Sequence, residues 1–250
     1  MPGIDSYTKL CLHCNGTDGS TSFPDASASA HTATANGNAH VEVDQSKFGG
    51  ASGYFDGTGD NLSVPYSTDW DFGSGAFTID FWAYFGNTGT DESIIERSDY
   101  NGGGGNGFSV QRLSNNQIRF YEGTAGTDSG GSYTVTSGQW YHIAVVKDGT
   151  NARIYLDGTQ ASTVSGASVG ISGSPTLKIA TGLAGDFNGY IDEIRVSKGT
   201  ARWTANFTPP TSEYTTDSQI KTINGLAIGS VKSKSGLAIA SIKKINGLTP

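Results

Sequence analysis

Apolar and polar positions alternate with period two through most of the chain. FTIDFWAYF (77–85) places Ile79, Phe81, Ala83 and Phe85 on one face and Thr78, Asp80, Trp82 and Tyr84 on the other. That alternation predicts a strand with one buried face. QWYHIAVVKDG (139–149) runs into Asp148-Gly149, and NARIYLDG (151–158) reads as the return strand before Asp157-Gly158 and TQASTV. Asp-Gly pairs supply the positive φ that tight hairpins require. GFSVQRL, NQIRFYEG, TLKIATG and DFNGYIDEIRVSK extend the set to roughly a dozen strands. No helical spacers separate them, so the pattern predicts an antiparallel sandwich. RSDYNGGGGNGF (97–108) and YEGTAGTDSGGSY (121–133) read as long glycine-rich loops.

The pattern changes near EYTTDSQ (213–219). Beyond it, Gly225, Gly236 and Gly247 recur every eleven residues, as do Leu226, Leu237 and Leu248. Ile220, Val231 and Ile242 keep the same spacing, and Ile228 and Ile239 sit two residues after their leucines. Asn-Gly or Ser-Gly breaks each short apolar strand. So short a repeat cannot bury its own apolar face. The tail (215–250) is therefore expected to find its missing surface elsewhere. It would do so in a homo-oligomer, such as a trimer, or by adding strands to another protein. Its lysines limit unwanted edge pairing.

Composition sharpens this division. The chain has 36 glycines among 250 residues and a net charge of −7. The tail from Ser218 carries five lysines and no acid, which leaves −12 on the first 217 residues. So acidic a body excludes a nucleic-acid binder. No apolar run approaches the ~20 residues of a membrane span. MPGIDSYTKL lacks the basic-then-apolar order of a signal peptide, so synthesis and folding in a cytoplasm are expected. The spacing Cys11-x-x-Cys14 has no second cysteine pair to complete a zinc site, and its segment alternates like a strand. Both cysteines read as small packing residues.

LCLHCNGTDGSTSFPDASASAHTATANGNAHV, SKFGGASGYFDGTGDNLSVP, DFGSGAFTIDFWAYF, QWYHIAVVKDGTNARIYLDG and GYIDEIRVSKGTARWTANFTPP occur in that order. Together they resemble the laminin-G-like, concanavalin A-like jelly rolls, above all the bacterial and phage-borne members. The resemblance covers about residues 7 to 214. It implies an all-β jelly-roll sandwich of two curved antiparallel sheets (1–214) with its first and last strands adjacent, followed by the β-repeat assembly tail. It also implies one structural calcium ion near those strands. Asp18 and Asp25 in NGTDGSTSFPDAS and Asp192 in GYIDEIRV are the oxygen donors a hard cation would take. Asp56 and Asp60 in FDGTGDN are a weaker set. Loop aspartates also serve as turn formers.

Some relatives are glycoside hydrolases, which need two carboxylates facing the scissile bond. Asp192 and Glu193 are adjacent, so on a regular strand they point to opposite faces. No nucleophile motif lies near His13, His31, His40 or His142. The chain therefore reads as no enzyme. Glycan binding must be argued from a site, and the candidates are Tyr100 and Asn101 in the first glycine-rich loop and Tyr121 beside the second. Trp82, Trp140 and Trp203 read as structural. Trp203, with Arg202 and Phe207, is expected to fold over the sandwich, whereas Trp70 in STDWDFG finds no role. A lectin-like body without a secretion signal, joined to an assembly tail, is similar in layout to bacteriophage virion proteins. The expectation is a virion structural protein, made in the host cytoplasm. It would be a capsid decoration, head fibre or tail-associated component, contacting other virion proteins through the tail and glycans through the body. The alternative is a bacterial carbohydrate-binding lectin module of a larger complex.

Overall fold

A computed structural model of the chain describes residues 3–98, 107–122, 127–166, 168–170 and 173–216, with backbone alone at 127–132, and four two-residue strands in the tail. The chain divides into two compact units, Met1–Tyr214 and Thr215–Pro250. The first holds β1 (Thr8–Leu12), β2 (Ser22–Pro24), β3 (Thr32–Asn36), β4 (His40–Glu42), β5 (Ser52–Asp56), β6 (Asn61–Val64), β7 (Phe77–Phe85) and β8 (Glu92–Ser98). It continues with β9 (Gly107–Arg112), β10 (Gln117–Glu122), β11 (Thr127–Thr134), β12 (Trp140–Lys147), β13 (Asn151–Leu156), β14 (Thr159–Ser165), β15 (Leu177–Ile179) and β16 (Asn188–Lys198).

Sheet I runs β14-β13-β12-β7-β16-β5-β4, with β1 also on β16, and sheet II runs β11-β10-β9-β8-β15-β6-β3-β2. Every pairing is antiparallel, as a jelly roll requires. β7 flanks one edge of β16, while β5 and β1 share the other, at Asn188–Ile191 and Ile194–Ser197. The first and last strands of the body are thus neighbours.

The alternation read in β7 is realised. Phe77, Ile79, Phe81, Ala83 and Phe85 all enter the core between the sheets. Phe72 stacks on Phe77 at 4.4 Å and on Phe108 at 5.3 Å, tying β7 of sheet I to β9 of sheet II. The Asp157-Gly158 turn has φ of 48° and 74°, the double positive φ of a two-residue hairpin. A Cβ on Gly158 would also meet the Phe207 carbonyl at 1.9 Å, so the turn and the chain crossing it require glycine together.

Three local features depart from the pattern. The second glycine-rich segment is no long loop, because Thr127–Thr134 returns as edge strand β11 on β10. Its register jumps from Gly130 opposite Arg119 to Thr134 opposite Gln117, so the glycine pair stands where the ladder is irregular. Trp70 is fully buried on a 3-10 turn, Thr68–Trp70, capped by Ser67, and its indole donates to the Pro65 carbonyl at 3.2 Å. The Asp192–Glu193 alternation is broken by a bulge. Asp192 pairs with Trp82 and Arg195 with Asp80, so two residues oppose Phe81, and Glu193 takes φ 52°.

In the tail, β17 (Thr222–Ile223) pairs with β18 (Leu226–Ala227), and β19 (Ser233–Lys234) with β20 (Leu237–Ala238). Equivalent strands begin at Thr222 and Ser233, which is the period of the sequence repeat. Leu226 and Leu237 open the return strands. Ile220, Ile228, Val231, Ile239, Ile242 and Leu248 lie outside the described residues.

Candidate functional site

The outward face of sheet II is polar. On β9 and β10 the core takes Phe108, Val110, Ile118 and Phe120, which turns Ser109, Gln111, Arg119 and Tyr121 outward. Register sets Arg119 opposite Gln111 and Tyr121 opposite Ser109. The Arg119 guanidinium donates through Nε to Gln111 Oε1 at 2.9 Å and lies 5.7 Å from the centre of the Tyr121 ring. Gln111 in turn donates to Ser109 Oγ at 3.0 Å. The four side chains form a connected floor.

One wall comes from the turn that precedes β16. The Leu183 N–H donates to Glu96 Oε2 at 2.8 Å, and the Ala184 N–H to Ser93 Oγ at 3.0 Å. A Cβ on Gly182 would meet Glu96 Oε2 at 2.2 Å and Ser93 Cβ at 2.8 Å, so a larger residue there would displace the Glu96 carboxylate from the turn. Two β8 side chains therefore pin this turn against the sheet. Asp91, at the foot of β8, completes an open depression of about 260 Å³ lined by Asp91, Gln111, Arg119, Tyr121, Leu183 and Ala184. Leu183 is 43% exposed. A guanidinium and a carboxylate beside a half-buried phenol ring offer hydroxyl-binding groups next to an apolar plane, and the buried Gln111 amide holds the guanidinium in place. Of the glycan candidates, Tyr121 lies here, whereas Tyr100 and Asn101 lie outside the described residues. Alternation in NQIRFYEG points Arg119 and Tyr121 the same way. Gln111, Leu183 and Asp91 join them only through strand pairing and the folded turn.

The outward face of sheet I is built differently. Asp80 and Arg195 are fully buried and paired, Nε to Oδ1 at 3.0 Å and Nη2 to Oδ2 at 3.1 Å. Tyr214 donates its hydroxyl to Asp80 and lies under the Arg195 guanidinium at 3.6 Å. Burial pushes Asp80 up, but Arg195 and His142 outweigh it and hold the carboxyl at about 2. Trp203 and Phe207 stack at 4.0 Å and close over His142 and Tyr155, the covering expected of this segment. Arg202 reaches back to Asp5 and Thr8.

The three calcium candidates do different work. Asp25 accepts the N–H groups of Cys11, Ser27 and His31 at 2.8–2.9 Å, as a loop brace. Asp192, fully buried, accepts those of Lys47 and Phe48 at 2.9 and 3.0 Å. Asp18 is exposed on the loop. Among the described residues, no three His, Cys, Asp or Glu side chains gather as a metal site. In this arrangement Asp25 and Asp192 already take backbone N–H donors. Asp60, of the weaker set, accepts from the Asp56 N–H at 3.0 Å and so braces a turn. Burial raises Asp192 to about 7 against the N–H donors that lower it. Glu193 accepts from the Tyr214 N–H at 2.7 Å and pairs with His13, at 1% exposure. The bulge turns both carboxylates to the same outer side, but they are buried and engaged with the chain's own groups. Cys11 and Cys14 are free and buried, on the outer and core sides of sheet I, and burial raises both thiols.

Comparison with known proteins follows the same outline. No curated protein matches the sequence at a significant level. Among solved structures, the chain is similar to domain 4 of AbnA, a GH43 extracellular arabinanase from Geobacillus stearothermophilus, in complex with arabinotriose. The identity is 15% and the TM-score 0.61, over 80% of this chain and 95% of that one. It is also similar to the binding domain of Paraclostridial Mosquitocidal Protein 1, at 14% identity and TM-score 0.60 over 78% of this chain. A botulinum neurotoxin type C structure, described as dependent on two ganglioside molecules for cell entry, matches at 16% identity and TM-score 0.57 over 79% of this chain. The chain spans about half the length of these two toxin chains, 49% in each case. These likenesses establish the jelly roll. The family described as the Concanavalin A-like lectin/glucanases superfamily, in its laminin-G-like group, matches residues 56–204, well over half of the chain, and the chain belongs to that family.

Proposed function

We propose that the body is a non-enzymatic glycan-binding domain whose site is the depression on sheet II. The observation that carries this reading is the convergence of Arg119, Gln111, Asp91 and Tyr121 on an open face whose floor and wall are already held by hydrogen bonds. Polar groups of both signs suit vicinal hydroxyls, and Tyr121 with Leu183 suits the C–H face of a sugar ring. Binding domains among the similar structures, one holding arabinotriose and one linked to gangliosides, support the ligand class. The absence of a catalytic role is part of the proposal, supported by the burial of Asp192 and Glu193. Titration calorimetry of the full chain with arabinotriose and with a sialylated oligosaccharide tests it. Binding of either, lost in Arg119→Ala, is expected. No heat with either, or binding unchanged in Arg119→Ala, would remove this site.

A second element concerns the tail, where two hairpins repeat with the period of the sequence. We propose that residues 215–250 anchor or oligomerise the lectin-like body, and that the whole is a bacteriophage virion component. A bacterial carbohydrate-binding module joined to a larger complex is the alternative. Light scattering after gel filtration, on the full chain and on residues 1–216, separates the tail's roles. An oligomer that falls to monomer on truncation supports self-assembly, whereas a monomer in both forms points to a different partner.

A further inference from the structure

Five aromatic side chains stand in direct cross-strand register on the outer face of sheet I. His40 pairs with Tyr54, Tyr54 with Tyr190, Tyr190 with Tyr84, and Tyr84 with Trp140. They come from five consecutive strands, β4-β5-β16-β7-β12. Each is flanked by a core residue, Val41, Phe55, Ile191, Phe85 and Tyr141 respectively, so strand alternation turns all five rings outward. Neighbouring ring centroids are 5.4, 5.0, 5.7 and 5.7 Å apart along the row. With strands ~4.8 Å apart, the five rungs form a track ~19 Å long. All five rings are half-buried. The covering segment's rings pack on His142 and Tyr155 instead.

Cross-strand aromatic pairs stabilise a sheet by themselves, but stability alone does not call for an outward row that crosses five strands. Among the described residues no hydrogen bond ties down the Tyr54, Tyr84 and Tyr190 hydroxyls. Burial raises the Tyr190 phenol, and neighbouring Tyr54 and the acids Glu42 and Asp44 add to it. Such a field repels an anionic ligand. A row of rings with free hydroxyls, spaced by about one sugar unit and set in an acidic field, suits a chain of neutral pyranose or furanose units. The C–H faces of the sugars would lie on the rings and their hydroxyls would bond to the phenols.

The geometry points to a second glycan-binding surface, the His40–Tyr54–Tyr190–Tyr84–Trp140 ladder, which takes an extended neutral polysaccharide across the strands of sheet I. It lies on the other sheet from the Arg119 depression and does not depend on it. Affinity electrophoresis of the full chain through gels holding soluble arabinan, xylan, mixed-linkage β-glucan or anionic polygalacturonate tests the inference. At least one neutral polymer is expected to retard the protein. Tyr84→Ala and Trp140→Ala should each weaken that interaction about tenfold or more. Tyr84→Phe, which keeps the ring and loses only the hydroxyl, should weaken it less than Tyr84→Ala, and Arg119→Ala on the other sheet should keep it. Trp140, at the end of the row, decides the matter if Tyr84→Ala does not fold. The inference is overturned if no neutral polymer retards the chain, if both alanine variants bind like the parent, or if only polygalacturonate binds. Retardation lost in Arg119→Ala alone would overturn it too and assign the polymer to the sheet II site. Retention in Arg119→Ala with loss in the ladder variants leaves the calorimetric test of that site untouched.

Discussion

The two outer faces of the sandwich solve opposite problems. Sheet II keeps Ser109 and Gln111 buried under a partly exposed Arg119 and Tyr121, and Arg119 holds the neutral Gln111 amide. Sheet I sets Arg195 against Asp80, with Tyr214 and Trp203 against the guanidinium and Phe207 on His142 and Tyr155 beside them. The same residue type is a surface group on one face and half of a desolvated pair on the other. A buried pair gains little over an apolar pair of the same shape, but breaking it is costly. This part of sheet I therefore locks its charged pair inside the fold, whereas on sheet II Arg119 and Tyr121 stay partly exposed beside the depression.

The sharpest way to break this contrast is to remove each arginine. Arg195→Ala leaves Asp80 buried without its partner and should cost about 3–5 kcal/mol, read from urea denaturation of the full chain. Arg119→Ala should change stability by no more than about 0.5 kcal/mol. Equal losses would mean that the two faces are not distinct.

Acid and base act in opposite directions on sheet I. Asp192 titrates at about 7 in the fold, against 3.8 for the ordinary group. The folded state then binds the extra proton between pH 4 and 7, so stability falls as pH rises through that window, by up to about 4 kcal/mol. Asp192→Asn should flatten the melting temperature across it. Asp80, held at about 2, contributes in the other sense. About 2 kcal/mol present above pH 4 is lost as pH falls toward 2. A parent protein with no decline from pH 4 to 7 would place Asp192 in a wetter site than its burial indicates.

Smaller effects sharpen the comparison. Phe207→Ala removes one of the two stacked rings over His142 and should cost about 2 kcal/mol, less than a fully buried phenylalanine because the ring is half-exposed. Tyr121→Ala should leave the melt unchanged within about 0.5 kcal/mol and weaken glycan binding about tenfold. A chelator should move the melting temperature least of all, since Asp25 and Asp192 already take backbone N–H donors. A fall of several degrees would reinstate a metal at this end of the fold.

Much of this was legible along the chain. Period-two alternation placed β7, β12, β13 and β16, and Asp157-Gly158 marked its turn. Arg202, Trp203 and Phe207 cover sheet I as their segment suggested. Trp70 was opaque because its partners, His31 at 4.7 Å and the Pro65 carbonyl, are set by a short capped turn rather than by a strand. Strand β11 was hidden by Gly130 and Gly131, which carry no side chain to display a period. The Asp192–Glu193 bulge was hidden for a related reason, since one extra residue in a ladder leaves no mark on composition.

By itself the sequence determined the all-β class, the hairpin turns, the acidic body and the repeating tail, because these follow from spacings of a few residues. Only the tertiary structure decided that Trp203 and Phe207 cover the part of sheet I around His142 and Tyr155. It also decided that Gln111, Arg119 and Leu183 meet, that five aromatic rings from five strands fall into one row, and that Asp25 and Asp192 accept backbone N–H groups of neighbouring loops. Those outcomes rest on register and sheet order, and both are settled by how the buried faces pack across long sequence separations.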